Sequence, residues 1–343
     1  MKSRFKYSDN RLIIILFFVS IFMLTGCREK KGKCDIHVNE IPLKVTIHRF
    51  DRDFAMLKPD SLQQELPLLK NKYGNYLNFY LSKALTFPGK SMQDISQLKQ
   101  FLSDTTVQSV FKECAHHYSN ISDIEATVTD AFKRVRHFFP DKKIPELYFH
   151  ISMFNQSLIV DSGLISLSID NYLGDNYLLY KRMGIYDYLL PNMCRAKIPS
   201  DFITVFLLTE FPMPASDRLL ENMIYRGKIL YMLSALMPQE ADTTLMGYSK
   251  AQWEWCAAHE KDIWLAIMDN KHLYSSDRMI VTAYIGDAPF TSTISQDSPG
   301  RLGHWIGWQI VNSYMKRYPD VTLQQLAADT KYQQLLEQSG YKP

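Results

Sequence analysis

The 343-residue chain lacks the motifs that most directly assign a chemistry to a sequence. None of its nine histidines is followed by another histidine four residues later, so the His-Glu-x-x-His zinc motif is absent. His259-Glu260 begins in that way, but Ile263 stands where the second zinc ligand is needed. The Gly-x-Ser-x-Gly elbow of serine hydrolases and the Walker phosphate-binding loop are also missing. These absences exclude the commonest hydrolase and nucleotide-binding signatures.

The apolar run near the N-terminus is too short to cross a membrane. It covers residues 12–24, about 13 residues, whereas a spanning helix needs about 20. The run follows four basic residues and ends in Leu24-Thr25-Gly26-Cys27, which is typical of a bacterial lipoprotein signal peptide. We predict that residues 1–26 are removed and that Cys27 becomes a lipid-carrying N-terminus. The alternative is an N-terminal anchor helix that is retained.

The mature protein has no excess of charge of either sign. The whole chain has 39 Lys and Arg residues against 36 Asp and Glu residues. The signal peptide holds four of the basic residues and one of the acidic residues, so residues 27–343 have 35 of each. A neutral protein has no general electrostatic attraction to nucleic acid, and we predict no nucleic-acid partner.

Cysteine is scarce, with five in the chain, and no two of them form a Cys-x-x-Cys motif. Zinc-ribbon and thioredoxin-like sites therefore have no support. Export permits disulfides, yet several cysteines have apolar neighbours that suit buried free thiols, so the pairing stays open. The cysteines after Cys27 are Cys34, Cys114, Cys194 and Cys256.

Hydrophobic patterning predicts a single globular domain over residues 43–343, preceded by a lipidated tether over 27–42. Residues 43–50 indicate a strand, and three short runs around the turn Asp161-Ser-Gly163 indicate further strands, which we expect to form a small antiparallel sheet. Helical segments are predicted over 61–82 (with a kink or restart at Pro67), 122–139, 201–211, 216–236, 249–269, 299–317 and 322–338. The predicted fold class is α+β and predominantly helical.

One glycine-rich segment near the C-terminus is the most distinctive. Pro299-Gly300 predicts a turn into a helix whose first N–H groups favour anions. Gly300, Gly303 and Gly307 allow this helix to approach another backbone closely. Arg301 and His304 are three residues apart and share a face. The segment is interpreted either as a closely packed helix with a charged rim or as an edge of a groove that binds an anion or a peptide carboxylate.

This segment and several others resemble the gliding motility lipoprotein GldB family of the Bacteroidetes. The matching stretches keep a consistent order over most of the mature chain, and the resemblance depends on the whole set. Beside the lipobox they are 48–54 (His-Arg-Phe-Asp-Arg-Asp-Phe), 73–74, 164–174, 220–231, 260–264, 287–290 (Asp-Ala-Pro-Phe) and 299–308 (Pro-Gly-Arg-Leu-Gly-His-Trp-Ile-Gly-Trp).

The family in turn resembles predicted zinc peptidases, which carry His-Glu-x-x-His on one helix and a Glu-Gly pair on the next. Here residues 200–211 resemble the first helix and contain no histidine. Arg226-Gly227 stands where the Glu-Gly pair is expected. A guanidinium cannot ligate a cation and repels one. The resemblance therefore implies a metallopeptidase-like fold without a metal, without another cofactor and without enzyme activity.

Four basic side chains are candidates for a remaining groove: Arg226, Lys228, Arg301 and His304. Together they would form a cationic cleft for a carboxylate, a peptide end or an acidic glycan. In the alternative interpretation, Arg226 pairs with a carboxylate such as Glu221 or Glu260 and has only a structural role. No catalytic residue is predicted.

The resemblance implies a lipid-anchored envelope protein that serves as a non-enzymatic accessory or scaffold in the gliding machinery or a related apparatus. The expected partners are the membrane, through palmitate or a similar lipid on Cys27, and envelope proteins. Arg28 replaces the aspartate of the enteric inner-membrane retention signal, so we expect the periplasmic side of the outer membrane. The competing hypotheses are a hydrolase with a displaced metal or no metal, and a module that binds peptides or cell-wall fragments.

Overall fold

The computed structural model describes residue 36 and residues 38–87 and 92–343. The predicted signal peptide, the predicted lipidation site Cys27 and the residue Cys34 lie outside these residues. From Val38 onward the described residues form one compact unit, in which Cys114, Cys194 and Cys256 are free thiols. No helix of the described part is long and apolar enough to span a membrane.

Helices make up most of this unit, and the predominantly helical α+β class is confirmed. The helices of the N-terminal half are α1 (Phe50–Ala55), α2 (Leu62–Tyr73), α3 (Asn75–Lys83), α4 (Met92–Ser103), α5 (Thr105–His117) and α6 (Ser122–Phe138). The later helices are α7 (Leu178–Arg182), α8 (Lys197–Glu210), α9 (Leu219–Leu236), α10 (Asp242–Met246), α11 (Lys250–Ala258), α12 (Glu260–Asp269), α13 (Arg278–Ile285), α14 (Leu302–Arg317), α15 (Leu323–Ala328) and α16 (Tyr332–Ser339).

The sheet has four strands in the order β1-β2-β4-β3, namely β1 (Ile47–His48), β2 (Glu146–His150), β3 (Leu158–Asp161) and β4 (Leu164–Ser168). The hairpin expected at Asp161-Ser-Gly163 is confirmed, and its strands β3 and β4 are antiparallel. The expectation of an antiparallel sheet is otherwise wrong, because β1 pairs with β2 and β2 with β4 in parallel. Strand β3 lies at the edge of the sheet. The chain turns back from β3 into β4, which lies between β3 and β2 and runs in the same direction as β2.

The helix predicted over 61–82 breaks at Gly74, whereas Pro67 lies inside α2. Gly74 has φ +56° and ψ −130°, a conformation that is strained for residues with a Cβ atom. It therefore separates α2 from α3. The kink expected at Pro67 was placed about two turns too early.

A buried ion pair between Arg49 and Asp51 connects the segment 48–54 to the core. Asp51 is only 2% exposed, and its two carboxylate oxygens accept hydrogen bonds from Arg49 at 2.9 and 2.7 Å. Arg49 also donates to the carbonyl of Tyr118 at 2.7 Å, which connects the start of α1 with the end of α5. Burial raises the pKa of Asp51, although the Arg49 guanidinium opposes that shift. The Asp51 carboxylate is thus stabilised chiefly by Arg49, with a smaller contribution from the backbone and charge of Arg52.

Buried hydrogen bonds connect the sheet with α3 and with the turn after β2. The His150 ring is completely buried, with Nδ1 2.7 Å from Ser166 Oγ and Nε2 3.1 Å from the Gln156 carbonyl oxygen. Ser166 Oγ also lies 2.7 Å from the Tyr76 hydroxyl. Burial lowers the pKa of His150 to about 4, so the ring is neutral at pH 7.

Mild acid should destabilise the protein through His150. Its pKa is about 4 in the folded state and about 6.5 in the unfolded state, so between these values the unfolded state binds the additional proton. Stability therefore falls as the pH falls, by about 2 kcal/mol for this group between about pH 7.5 and pH 5. Urea unfolding at both pH values measures the effect. His150→Gln should reduce the difference by about 2 kcal/mol, and an unchanged difference would contradict the assignment.

Candidate functional site

Helices α9 and α14 cross with their backbones in direct contact. A Cβ atom added to Gly227 would lie 2.2 Å from the carbonyl carbon of Gly307, and one added to Gly307 would lie 1.8 Å from the Met223 carbonyl oxygen. The close approach predicted for the glycine face of α14 is therefore confirmed. The crossing brings Arg226 of α9 near the first turn of α14, where its charge acts on His304.

Arg301 immediately precedes α14 and has a left-handed backbone with φ 60°. This conformation costs about 1–2 kcal/mol for a residue with a side chain. The guanidinium donates a hydrogen bond to the Gly247 carbonyl at 3.1 Å, and its Nε lies 3.4 Å from Asp287 Oδ1. It also lies over the Tyr248 ring, 5.5 Å from the ring centroid. Since Arg301 completes the turn, α14 begins at Leu302, three residues later than predicted.

His304 is a neutral, poorly solvated side chain between two guanidiniums. Burial lowers its pKa well below the usual range, and the positive charges of Arg301 and Arg226 lower it further. The ring forms a hydrogen bond with the Ile285 carbonyl. Its Nε2 atom is buried and has no hydrogen-bond partner among the described residues. A buried polar atom left without a partner costs about 1–3 kcal/mol.

Arg226 is not neutralised by a neighbouring acid. It forms no ion pair or hydrogen bond with any residue that the structure describes, and its guanidinium carbon lies 5.9 Å from the centroid of the Tyr225 ring. The proposed pairing with Glu221 or Glu260 is therefore not observed. Glu221 lies five residues before Arg226 on α9, outside the spacing of helical ion pairs, and Glu260 accepts a hydrogen bond from the Tyr341 hydroxyl.

The structure places Lys228 apart from the other three candidates. Its Nζ donates to the carbonyls of Ala327 at 3.1 Å and Asp329 at 2.6 Å, beside the Tyr332 ring. Two residues along a helix correspond to a rotation of about 200°, which is why Lys228 and Arg226 point to opposite sides of α9. We call Arg226, Arg301 and His304 the basic cluster.

Lys228 should make the free energy of unfolding depend on pH in the alkaline range. Burial lowers its pKa to about 8, whereas the unfolded side chain titrates near 10.4. Between these values the unfolded state binds more protons, so stability rises with pH, by about 1 kcal/mol from about pH 7.5 to pH 9. Comparing urea unfolding of wild type and Lys228→Met at the two pH values isolates this contribution. Equal pH dependence in the two proteins would rule it out.

The geometry of the basic cluster suits the binding of an anion better than the binding of a cation. Two guanidiniums raise the electrostatic potential at His304, and Asp287 is the acid that contacts one of them. In residues 38–87 and 92–343, no group of three or more His, Cys, Asp and Glu side chains is arranged to hold a metal ion.

Some neighbours of the basic cluster were missed by the sequence reasoning. Asp287 lies in the motif Asp-Ala-Pro-Phe, but its pairing with Arg301 was not foreseen. Helix α13, whose last residue Ile285 contacts the cluster, was not predicted at all. The sequence does carry features that indicate this helix. Six of its eight residues are apolar. Asp277 caps the first turn, with Oδ1 accepting from Met279 N.

The fold and this cluster define a helix-rich α+β protein with two guanidiniums beside a neutral histidine at a glycine-lined helix crossing. The sequence profile of the family described as gliding motility protein GldB matches residues 31–343, so the chain belongs to that family. At the family level it is associated with gliding motility and the cell envelope. No curated protein and no solved structure matches the chain. The relationship to zinc peptidases stays a prediction.

Proposed function

We propose that this chain is a lipid-anchored, non-enzymatic accessory or scaffold component of the gliding machinery or of a related envelope apparatus. Family membership supports the association with gliding. The lipobox ending at Cys27 supports a lipid anchor, and Arg28 after it supports a position on the periplasmic side of the outer membrane.

The observation that carries the non-enzymatic role is the guanidinium of Arg226 beside His304. The resembling peptidases have a glutamate at this position of the Glu-Gly pair, where it ligates zinc. Arg226 and Arg301 both act on the neutral His304 ring, and Arg226 has no acidic partner in the described part of the chain. A divalent cation placed there would meet uncompensated positive charge in a poorly solvated region, which is strongly unfavourable.

Anchoring is tested with radiolabelled palmitate in growing cells. Wild-type protein should incorporate label and sediment with the outer membrane, whereas Cys27→Ser should lose both properties. Cys194→Ser is the matched control, because it removes another thiol and should keep both. A labelled Cys27→Ser protein would reject Cys27 as the lipidation site.

The non-enzymatic role is tested on the purified mature protein. Elemental analysis after exposure to zinc should find much less than one equivalent of tightly bound metal, and no cleavage of a degenerate peptide mixture should be detected. One tightly bound zinc per chain, or cleavage that a chelator abolishes, would replace the scaffold role by that of a metallopeptidase.

A further inference from the structure

A cavity beside Lys228 lies between α9, the segment that follows α8 and the segment that joins α15 to α16. Its volume is about 190 Å³. Pro212, Pro214 and Thr330 line its exposed mouth, whereas Lys228 and Met232 of α9 are buried. A cavity of about 150 Å³ can hold one benzene molecule. This cavity therefore has room for one ring or one short aliphatic chain.

Aromatic rings form much of the cavity wall, and they come from Phe211, Tyr225 and Tyr332. The Tyr225 hydroxyl donates a hydrogen bond to the Phe211 carbonyl at 3.0 Å, which connects α9 with the segment after α8. The centroid of the Tyr332 ring lies 5.5 Å from Lys228 Nζ. A concave site with apolar walls and few polar groups is typical of sites that bind small ligands.

Backbone carbonyls hold the ammonium of Lys228 in place in this cavity. Lys228 is only 3% exposed, and its Nζ donates to the carbonyl oxygens of Ala327 at 3.1 Å and Asp329 at 2.6 Å. An ammonium has three N–H donors, so one donor remains without a partner among the described residues. That donor is available to a group that enters the cavity.

The charge of Lys228 is not balanced by an ion pair with any residue that the structure describes. Asp329 is the acid that acts on it from a distance, and Oδ1 of Asp329 accepts a hydrogen bond from the backbone N–H of Lys331 at 2.8 Å. Buried charges in proteins are usually paired, because an uncompensated ion in a poorly solvated region is costly. A carboxylate in the cavity would accept the third N–H and compensate the charge.

We propose that this cavity binds a monocarboxylate with one apolar group, whose carboxylate accepts a hydrogen bond from Lys228 Nζ and whose apolar group contacts the aromatic wall. A free acid and the C-terminal residue of a peptide present this same chemistry. The ammonium selects a carboxylate over a neutral group, and the volume of the cavity limits the apolar part to the size of one side chain. The site is separate from the basic cluster and does not depend on the scaffold role proposed above.

Binding is tested with 3-phenylpropanoate, and the neutral 3-phenylpropanamide is the matched control ligand. The mature lipidated protein in detergent micelles is labelled with ¹³C at its methionine methyl groups, and the Met232 resonance is assigned with Met232→Leu. The acid should shift this resonance saturably, with a dissociation constant of about 1 mM, as expected for a ligand of this size. The amide should bind at least about tenfold more weakly. No saturable shift, or equal affinities of the two ligands, would overturn the proposal.

Two charge variants separate the role of Lys228 from that of the rest of α9. Lys228→Met removes the ammonium and retains the length of the side chain, so it should abolish the preference for the acid over the amide. Arg226→Ala removes a positive charge on the opposite side of α9 and should change neither dissociation constant by more than about twofold. Near-UV circular dichroism establishes that each variant is folded. A folded Lys228→Met protein that still prefers the acid would refute the role of Lys228.

The source of the carboxylate is distinguished with the tripeptide Ala-Ala-Phe, whose terminal residue has the same ring. If it binds at least as tightly as 3-phenylpropanoate, the site accepts the C-terminus of a protein chain. If it binds at least about tenfold more weakly, the site selects a free acid. Both results support a carboxylate site. Saturable binding of the amidated tripeptide, with an affinity equal to that of 3-phenylpropanoate, would overturn the proposal because this peptide has no carboxylate.

Discussion

Replacing Gly307 by alanine should destabilise the protein by about 3 kcal/mol or more. The new methyl group would lie 1.8 Å from the Met223 carbonyl oxygen and 2.4 Å from its carbonyl carbon. These are backbone atoms of α9, which cannot rotate away as a side chain can, so the two helices must separate. Separation would loosen the interdigitated core along the whole crossing. Urea unfolding followed by circular dichroism measures the loss.

The sign of the change in the free energy of unfolding for Gly307→Ala shows whether steric overlap or helix propensity is the larger contribution. Alanine favours an isolated helix over glycine by about 1 kcal/mol, so without the close contact the variant would gain stability. Gln309→Ala is the matched control, since Gln309 is partly exposed on the same helix, and it should change stability by no more than about 0.5 kcal/mol. A stabilised Gly307→Ala protein would show that α9 and α14 are not in backbone contact.

Replacing Asp51 by alanine should cost about 3–5 kcal/mol, because it leaves a guanidinium in the core without its counter-ion. Arg49 would keep its bond to the Tyr118 carbonyl but lose both bonds to the carboxylate. Thermal and urea unfolding measure the effect. Asp60→Ala is the control, because Asp60 is 94% exposed in its ion pair with Lys99, and the unfolding midpoint should not move.

A double variant tests whether the cost comes from the unpaired charge. Arg49→Met with Asp51→Leu removes both charges and retains apolar volume, and such replacements are often neutral or stabilising. We therefore expect the double variant to recover most of the stability lost in Asp51→Ala. If it is no more stable than Asp51→Ala, then the hydrogen bond to Tyr118 and the shape of the pair contribute most of the effect.

Local parts of the fold were predictable because their causes are local. The turn residues Asp161-Ser-Gly163 predicted the β3–β4 hairpin, and glycine spacing predicted that one face of α14 would meet another backbone. The strand order was not predictable, because β1 and β2 pair as Ile47 with Leu147 across about a hundred intervening residues. The helix break was misplaced, because proline is tolerated within α2 whereas the conformation of Gly74 is decided by its surroundings.

The candidate site was also predictable only in part, because its residues come from segments that are far apart in the chain. Sequence spacing predicted that Arg301 and His304 share a helix face, but Arg301 precedes α14 with a left-handed backbone, so that only His304 lies on the helix. Spacing also contains no information on which helix crosses α14. The contact of Gly227 with Gly307 brings Arg226 to His304 and turns Lys228 toward the carbonyls of Ala327 and Asp329 at the end of α15. Spacing reveals neither the left-handed backbone of Arg301 nor its pairing with Asp287.

The sequence by itself determined the features that depend on composition and short-range order. These are the apolar run ending in Leu24-Thr25-Gly26-Cys27, the balance of charge over residues 27–343, the absence of zinc and nucleotide motifs, and the small residues that permit a close helix crossing. The tertiary structure decided which charges meet and which remain without a partner. Electrostatic and hydrogen-bonding energies depend on the distance between groups and on their burial. For residues far apart in the chain, long-range packing sets both the distance and the burial.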